Sequence, residues 1–272
     1  MTAAVLATAQ GSEEPAAPRL PGEPTHVRVG TSGWQYKDWR GRFYPQRLAQ
    51  VRWLDHYVST FDTVEVNATF YRLPNVSAVQ RWADALPPGF VMTVKASRYL
   101  THIKRLREPQ EPVARLLERV APLRDRGLLG PVLVQLPPDL PVEVERLDAT
   151  LREVPPDVRV AVEPRERSWF HAEVRAVLEQ HGAALVWADR EGRSLGPLWR
   201  TTTWTYLRLH HGRRGWGYDR RDLRRWASRV TDPDAPHGDA SAPDAYVYFN
   251  NDPGGAAVVD ALAFRDLVRS RA

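Results

Sequence analysis

The stretch Asp62–Asn67, DTVEVN, decides how this chain is read. On a strand successive side chains leave opposite faces, so Val64 and Val66 point one way and Glu65 and Asn67 the other. The same parity returns four times: in Thr93, Lys95 and Ser97 against Met92, Val94 and Ala96; in Ala161, Glu163 and Arg165 against Val160 and Val162; in Tyr206, Arg208 and His210 against Leu207 and Leu209; and in Tyr246, Tyr248 and Asn250 against Val247 and Phe249. An antiparallel sheet with one wet face would send such a polar row into water. Here the strands alternate with helical stretches, which need the apolar face for themselves. A closed barrel with its helices outside gives the polar row one destination, the inside of the barrel mouth.

Outward from that stretch the alternation continues. Strands are expected at Val27–Gly30, Phe90–Ala96, Pro131–Leu136, Val158–Glu163, Ala184–Asp189, Trp204–His210 and Tyr246–Asn250. Between them Leu48–Thr60 carries an apolar stripe at helical spacing, Ser77 can cap a helix through Leu86, and further helices fit Glu111–Arg126, Glu143–Val154, a segment opened by Ser168 or His171 and closed at His181, Asp219–Val230 and Ala256–Ser270. Glu191–Thr203 shows no helical stripe, so the sixth helix is short or absent. Eight strands alternating with helices over roughly 245 residues predict an α/β fold, a (β/α)8 TIM-like barrel, which typically needs about 250. The alternative, a doubly wound sheet, would carry a Gly-rich fingerprint after its first strand, and Gly30-Thr31-Ser32-Gly33 lacks the spacing. The reading is of one barrel domain over residues 26–272. Residues 1–25, rich in Ala, Pro and Glu without periodicity, form a disordered N-terminal extension, and the Asp/Pro/Ala-rich stretch 231–245 an exposed loop.

Composition narrows the chemistry. The chain has 272 residues, 43% of them hydrophobic, and no cysteine, which removes disulfides, thiol nucleophiles and thiolate metal sites and fits a reducing compartment. No apolar run is long enough to span a bilayer, and Met1–Gln10 lacks the basic leader and apolar block of a signal peptide. The expected location is the cytoplasm. A net charge of +5 invites a nucleic-acid reading, but the arginines are interleaved with Asp and Glu, and Lys37, Lys95 and Lys104 are the only lysines. A solvated mixed surface is the better account than a basic binding face.

The blocks VRVGTSGWQYKDWRGRFYP (Val27–Pro45), FDTVEVNATFYRLP (Phe61–Pro74), GFVMTVKASRYLTH (Gly89–His102), LGPVLVQLPP (Leu129–Pro138), VEPRERSW (Val162–Trp169), YLRLHHG (Tyr206–Gly212) and YVYFNNDPGGAAVVDA (Tyr246–Ala261) occur in this order. They resemble the YecE-like family, domain of unknown function 72. That resemblance implies a (β/α)8-like barrel, in agreement with the strand count, and implies no particular activity. The doubled imidazole of His210-His211-Gly212 is a small departure from the shared pattern.

The strand ends bring chemistry to one place, because barrel enzymes keep their sites where the C-terminal ends of the strands converge. Glu65, Lys95, Glu163 and His210 are the expected catalytic residues. Thr31, Ser32, Trp34, Asn67, Tyr71, Gln135, Arg165, Trp169, Arg208 and Asn250 are the expected substrate contacts, and Asp189 completes the ionisable row. Glu65 and Glu163 suit an acid and a base whose surroundings separate their pKa values. Lys95, among charges of its own sign, suits a base, a Schiff-base nucleophile or an anion site. Arg165 and Arg208 suit bidentate grip on carboxylate or phosphate. Glu65, Glu163, Asp189 and His210 form a hard donor set that would suit a divalent metal, Mg2+ or Mn2+. The bland reading is an ion-pair network in which Glu65, Glu163 and Asp189 balance Lys95, Arg165 and Arg208. For the loop aromatics, packing competes with ligand stacking. The function expected is acid–base chemistry, hydrolysis or isomerisation, on a phosphorylated or otherwise anionic small molecule. The alternatives are a nucleic-acid-binding or -processing protein and a non-catalytic ligand-binding barrel.

Overall fold

A computed structural model describes residues 26–232 and 245–270. The expected disorder of residues 1–25 and most of the loop expected at 231–245 lie outside the described residues. Eight parallel strands form the barrel: β1 (Val27–Thr31), β2 (Thr63–Val66), β3 (Val91–Lys95), β4 (Leu129–Gln135), β5 (Val160–Glu163), β6 (Ala184–Arg190), β8 (Thr205–Leu209) and β9 (Ala245–Phe249). The short β7 (Arg193–Ser194) turns back antiparallel on β6 and stands where a sixth helix would be. Outside lie α1 (Trp53–Val58), α2 (Ala68–Tyr71), α3 (Val76–Ala85), α4 (Gln110–Arg124), α5 (Val144–Arg152), α6 (Ala172–Gln180), α7 (Arg220–Val230) and α8 (Ala256–Arg269). Some details differ from the sequence reading: the helix expected at Leu48–Thr60 is a 3-10 turn, Gln50–Arg52, followed by the shorter α1. Asn75, not Ser77, caps α3, accepting from the Ala78 amide at 2.9 Å while Ser77 donates to it. Ala68–Pro74, which reads as a loop after the second strand, is not all loop, because Ala68–Tyr71 closes one helical turn.

The parity of DTVEVN holds around the barrel and separates two cores. Val64, Val66, Met92, Val94, Val160, Val162, Leu207, Leu209, Val247 and Phe249 belong to the large apolar layer between sheet and helices. Leu133, Ala161, Ala184, Val186, Ala188, Trp204, Tyr206, Tyr246 and Tyr248 form a second cluster, the barrel interior. Small residues on β5 and β6 leave room there for the large rings of β8 and β9, the mixture of sizes that fills a small barrel.

Strand pairing runs unbroken from β1 through β9, β8, β6, β5, β4 and β3 to β2, leaving one seam between β1 and β2 without a hydrogen-bond ladder. The buried hydroxyl of Tyr57, from α1, bridges it. It lies 3.0 Å from the Thr31 amide, whose hydrogen it accepts, and donates to the Thr63 carbonyl at 3.1 Å. Arg28 spans the seam below, donating to the Asp62 carbonyl and carboxylate. The strands approach so closely that a Cβ on Gly30 would stand 2.2 Å from the Thr63 carbonyl oxygen, so only glycine fits there.

Candidate functional site

Arg208, on the inward face of β8, organises the floor of the mouth. Its Nη2 donates to Glu65 Oε1 at 2.7 Å and its Nη1 to Glu163 Oε2 at 2.6 Å, with a longer bond to Gln135 Oε1 at 3.2 Å. Tyr206, two residues earlier on the same parity, donates to the second oxygen of Glu65 at 2.6 Å. All three charged groups are at most 1% exposed. Burial alone would raise the Glu163 carboxyl, but Arg208 and Arg165 overcome it and hold the group well below the usual carboxylate range. Glu163 is therefore an ionised charge partner across the neutral range and not a proton donor.

Above this floor lies a rim. Arg165 donates to Glu163 Oε1 at 2.7 Å, and the His210 Nε2 lies 3.2 Å from the same oxygen. Burial, then the neighbouring arginines against Glu163, pull the imidazole down to about 4, so the ring is neutral near pH 7. Its Nε2 lies between Glu163 Oε1, which can only accept, and Arg165 Nη2 at 3.1 Å, which can only donate, while Nδ1 faces Asn250 Nδ2 at 3.0 Å. Lys95 ends β3 with its Nζ 4.2 Å from the Phe70 ring centroid and donates to Gln135 Oε1 at 2.9 Å. Burial, then Arg208, lowers the ammonium to about 8. Lys95 makes no ion pair among the described residues.

A third corner, where β1, β2 and β9 end, was only half visible in the sequence. Asn67 Nδ2 and the Tyr36 hydroxyl both donate to the Ser32 carbonyl, at 3.3 and 2.5 Å. The Ser32 Oγ, Asn67 Oδ1 and Asp252 Oδ1 are buried without a protein partner. Burial, and then the field of Glu65 against the nearby Tyr36 hydroxyl, raises the Asp252 carboxyl to about 7. Asp252 was missed by the sequence reading. The available signal was its position two residues beyond Asn250, on the same parity as the polar row.

Other expected site residues lie elsewhere. Asp189 points outward from β6, because Ala188 occupies the inward position, and its carboxylate accepts from Tyr218, Trp226 and the Gly192 amide. Thr31 donates its hydroxyl to the Gly33 carbonyl and lies 2.9 Å from the Tyr57 hydroxyl. Trp169 is fully buried and donates its indole N–H to Leu140, while Trp34 packs edge-on against Trp82. Tyr71, by contrast, is 80% exposed. The metal set does not converge: Asp189 faces away, and Glu65 and Glu163 are already bound to a guanidinium that a divalent cation would have to displace. Among the described residues no group of three or more His, Asp or Glu is placed to hold a metal.

With Asp189 outside, the charges no longer balance. Lys95, Arg165 and Arg208 face Glu65 and Glu163, and Asp252, the further acid at the mouth, is held up to about 7 and carries only part of a negative charge near pH 7. The approach over β4 and β5 is a cavity of about 400 Å³ lined by Gln135, Pro164, Arg165, Arg167, Phe170 and Arg190, without an acid.

The chain is similar to proteins of the same architecture. The UPF0759 protein YunF of Bacillus subtilis (strain 168) is 25% identical over 276 residues, covering 89% of this chain and 94% of that protein. The UPF0759 protein YecE of Escherichia coli (strain K12) is 29% identical over 145 residues, 53% of this chain and 50% of that one. A crystal structure of a DUF72 family protein from Thermotoga maritima MSB8 superposes with a TM-score of 0.78 at 28% identity, covering 90% of this chain and 99% of that chain. One from Enterococcus faecalis V583 gives 0.75 at 20% identity, over 89% and 95%, and shows the fold alone. The pattern of the family described as "Protein of unknown function DUF72" matches residues 28–272, and the chain belongs to that family.

Proposed function

We propose that the barrel mouth is an active site for acid–base chemistry on an anionic small molecule, a phosphate or carboxylate ester or a sugar-like acid. The observation that carries the reading is the surplus cation. Lys95 is buried at a strand end, has no carboxylate of its own, and stands with two arginines whose carboxylates are already shared. An anion supplies the missing charge. In this reading Glu65 and Glu163 fix Arg208 in place. Proton transfer falls to Lys95, at about 8, and to Asp252, at about 7, the two groups poised near the working range. Isomerisation and hydrolysis both use such a pair. A cytoplasmic setting accords with the cysteine-free chain.

The test is a thermal-shift screen of phosphosugars, sugar acids, nucleotides and divalent metals at two salt concentrations, run on the wild type, Lys95→Met and Arg165→Met. A salt-tolerant rise in Tm with one anion, absent in both variants, supports the reading. An anion shift that survives both substitutions places the anion elsewhere and refutes it.

A further inference from the structure

Three exposed apolar side chains gather beside the mouth. Tyr71 is 80% exposed, Tyr99 43% and Ile103 56%, and all three line one groove of about 350 Å³ with Phe70 and Leu73. The groove is built by α2, which directly follows β2, and by the segment after β3, so it opens on the mouth side. Phe70 joins it to the site, since the same ring carries the Lys95 ammonium. Its polar lining is basic: Arg98, Arg115 and Arg119 against Glu111 alone, which Arg115 already pairs. The backbone beyond it is held in a costly shape. Arg105, Leu106 and Glu108 all have positive φ, of 52°, 61° and 43°, and Arg105 is anchored by Asp139. Large rings left in water next to a cationic site, with a strained and pinned loop beyond them, are poorly explained by stability alone.

We propose that this groove is the subsite for a planar ring carried by the anion, so that the ligand is a small ring-bearing phosphate or carboxylate with the chemistry of a nucleoside monophosphate. The proposal rests on the reading of the mouth as an anion site. The ring lies against Tyr71 and Tyr99 with Ile103 beneath, and the negative group reaches toward Lys95, with Arg98 on the path. Aromatic stacking is tolerant of ring identity, so the groove selects a flat ring and the arginines select charge.

Affinities of adenosine 5′-monophosphate, ribose 5-phosphate and adenosine are measured by calorimetry at 150 mM salt on the wild type, Tyr71→Ala, Tyr99→Ala and Lys95→Met. Tyr71 is exposed, so its substitution leaves the fold intact, which the unchanged Tm of the free variant checks. The monophosphate is expected to bind about tenfold or more tighter than ribose 5-phosphate, which lacks the planar base. Tyr71→Ala removes that preference and leaves ribose 5-phosphate unchanged, whereas Lys95→Met weakens both phosphates. Equal binding of the two phosphates to the wild type, or a preference that survives both tyrosine substitutions, overturns the groove and leaves the anion site standing. Binding of adenosine alone, lost in Tyr71→Ala, keeps the groove and removes the anion reading; no binding of any probe removes both. A tetranucleotide that outcompetes the monophosphate, with a steep salt dependence, assigns the groove to a strand and overturns the small-molecule proposal.

Discussion

At the scale of the residue, Arg208 is the group on which the mouth depends. It is buried with both its carboxylates, and removing one partner of a buried pair leaves the other charge uncompensated. Arg208→Met is expected to lower stability at pH 7 by about 3–5 kcal/mol, read from urea unfolding. Glu163 has a folded pKa below its ordinary 4.5, so its contribution is present above that value and is lost as pH falls through the folded one. The gap between wild type and variant should narrow below pH 4.5; a constant gap would sink the argument. Asp252 behaves in the opposite sense. Its folded pKa of about 7 lies above its ordinary 3.8, so the folded state holds the proton more tightly, and stability is lost as pH rises from 3.8 to 7. Asp252→Asn is therefore expected to be more stable than the wild type at pH 8 and equal to it near pH 4. A variant less stable at pH 8 would show the carboxylate to be satisfied in some other way. Of the polar row, Glu65, Lys95, Glu163, Arg165, Arg208, His210 and Asn250 meet at the mouth as their parity implied, but which of them pair is set by strands up to 143 residues apart.

At the scale of the element, the barrel depends on a helix to close it. The β1–β2 seam has no ladder, and Tyr57 on α1 serves a backbone donor on one side and an acceptor on the other. Tyr57→Phe keeps the ring and removes both bonds, leaving buried backbone groups unpaired. The expected cost is about 1–3 kcal/mol, with faster hydrogen exchange at the Thr31 amide than at the laddered amides of β8. Unchanged exchange at Thr31 would mean that the seam is held by other contacts. This device was not legible in the sequence, where Tyr57 reads as one more apolar position on the stripe from Leu48 to Val58. The α3 boundary shows the same limit. Asn75 and Ser77 are both good cap residues, and only the backbone decides that Asn75 accepts from Ala78.

At the scale of the whole molecule, many of the 38 lysines and arginines are held in local pairs with acids. Arg124 with Asp157, Arg105 with Asp139, Arg126 with Asp84, and Arg175 with Glu179 tie arginines to acids on the surface. Such pairs add little stability, but they prevent a continuous basic stripe. A single-stranded 20-mer is accordingly expected to bind no tighter than about 10⁻⁶ M at 150 mM salt, by fluorescence anisotropy. Tighter binding would show that arginines outside these pairs act together as a basic track.

The sequence by itself determined the barrel and the identity of most side chains at its mouth. Strand parity has a period of two and is enforced by the pleat, so one polar row opposed to one apolar row shows which face the helices cover. It could not place Asp189, because β6 is apolar on both faces along Ala184–Ala188 and offers no alternation to read. Only the tertiary structure turned that carboxylate outward, and left Lys95 at the mouth without a carboxylate partner. The closure of the seam by Tyr57, the sharing of Arg208 between two carboxylates and the arrival of Asp252 beside Tyr36 were decided in the same way. Each depends on distances between elements far apart in the chain, and local periodicity carries no information about those distances.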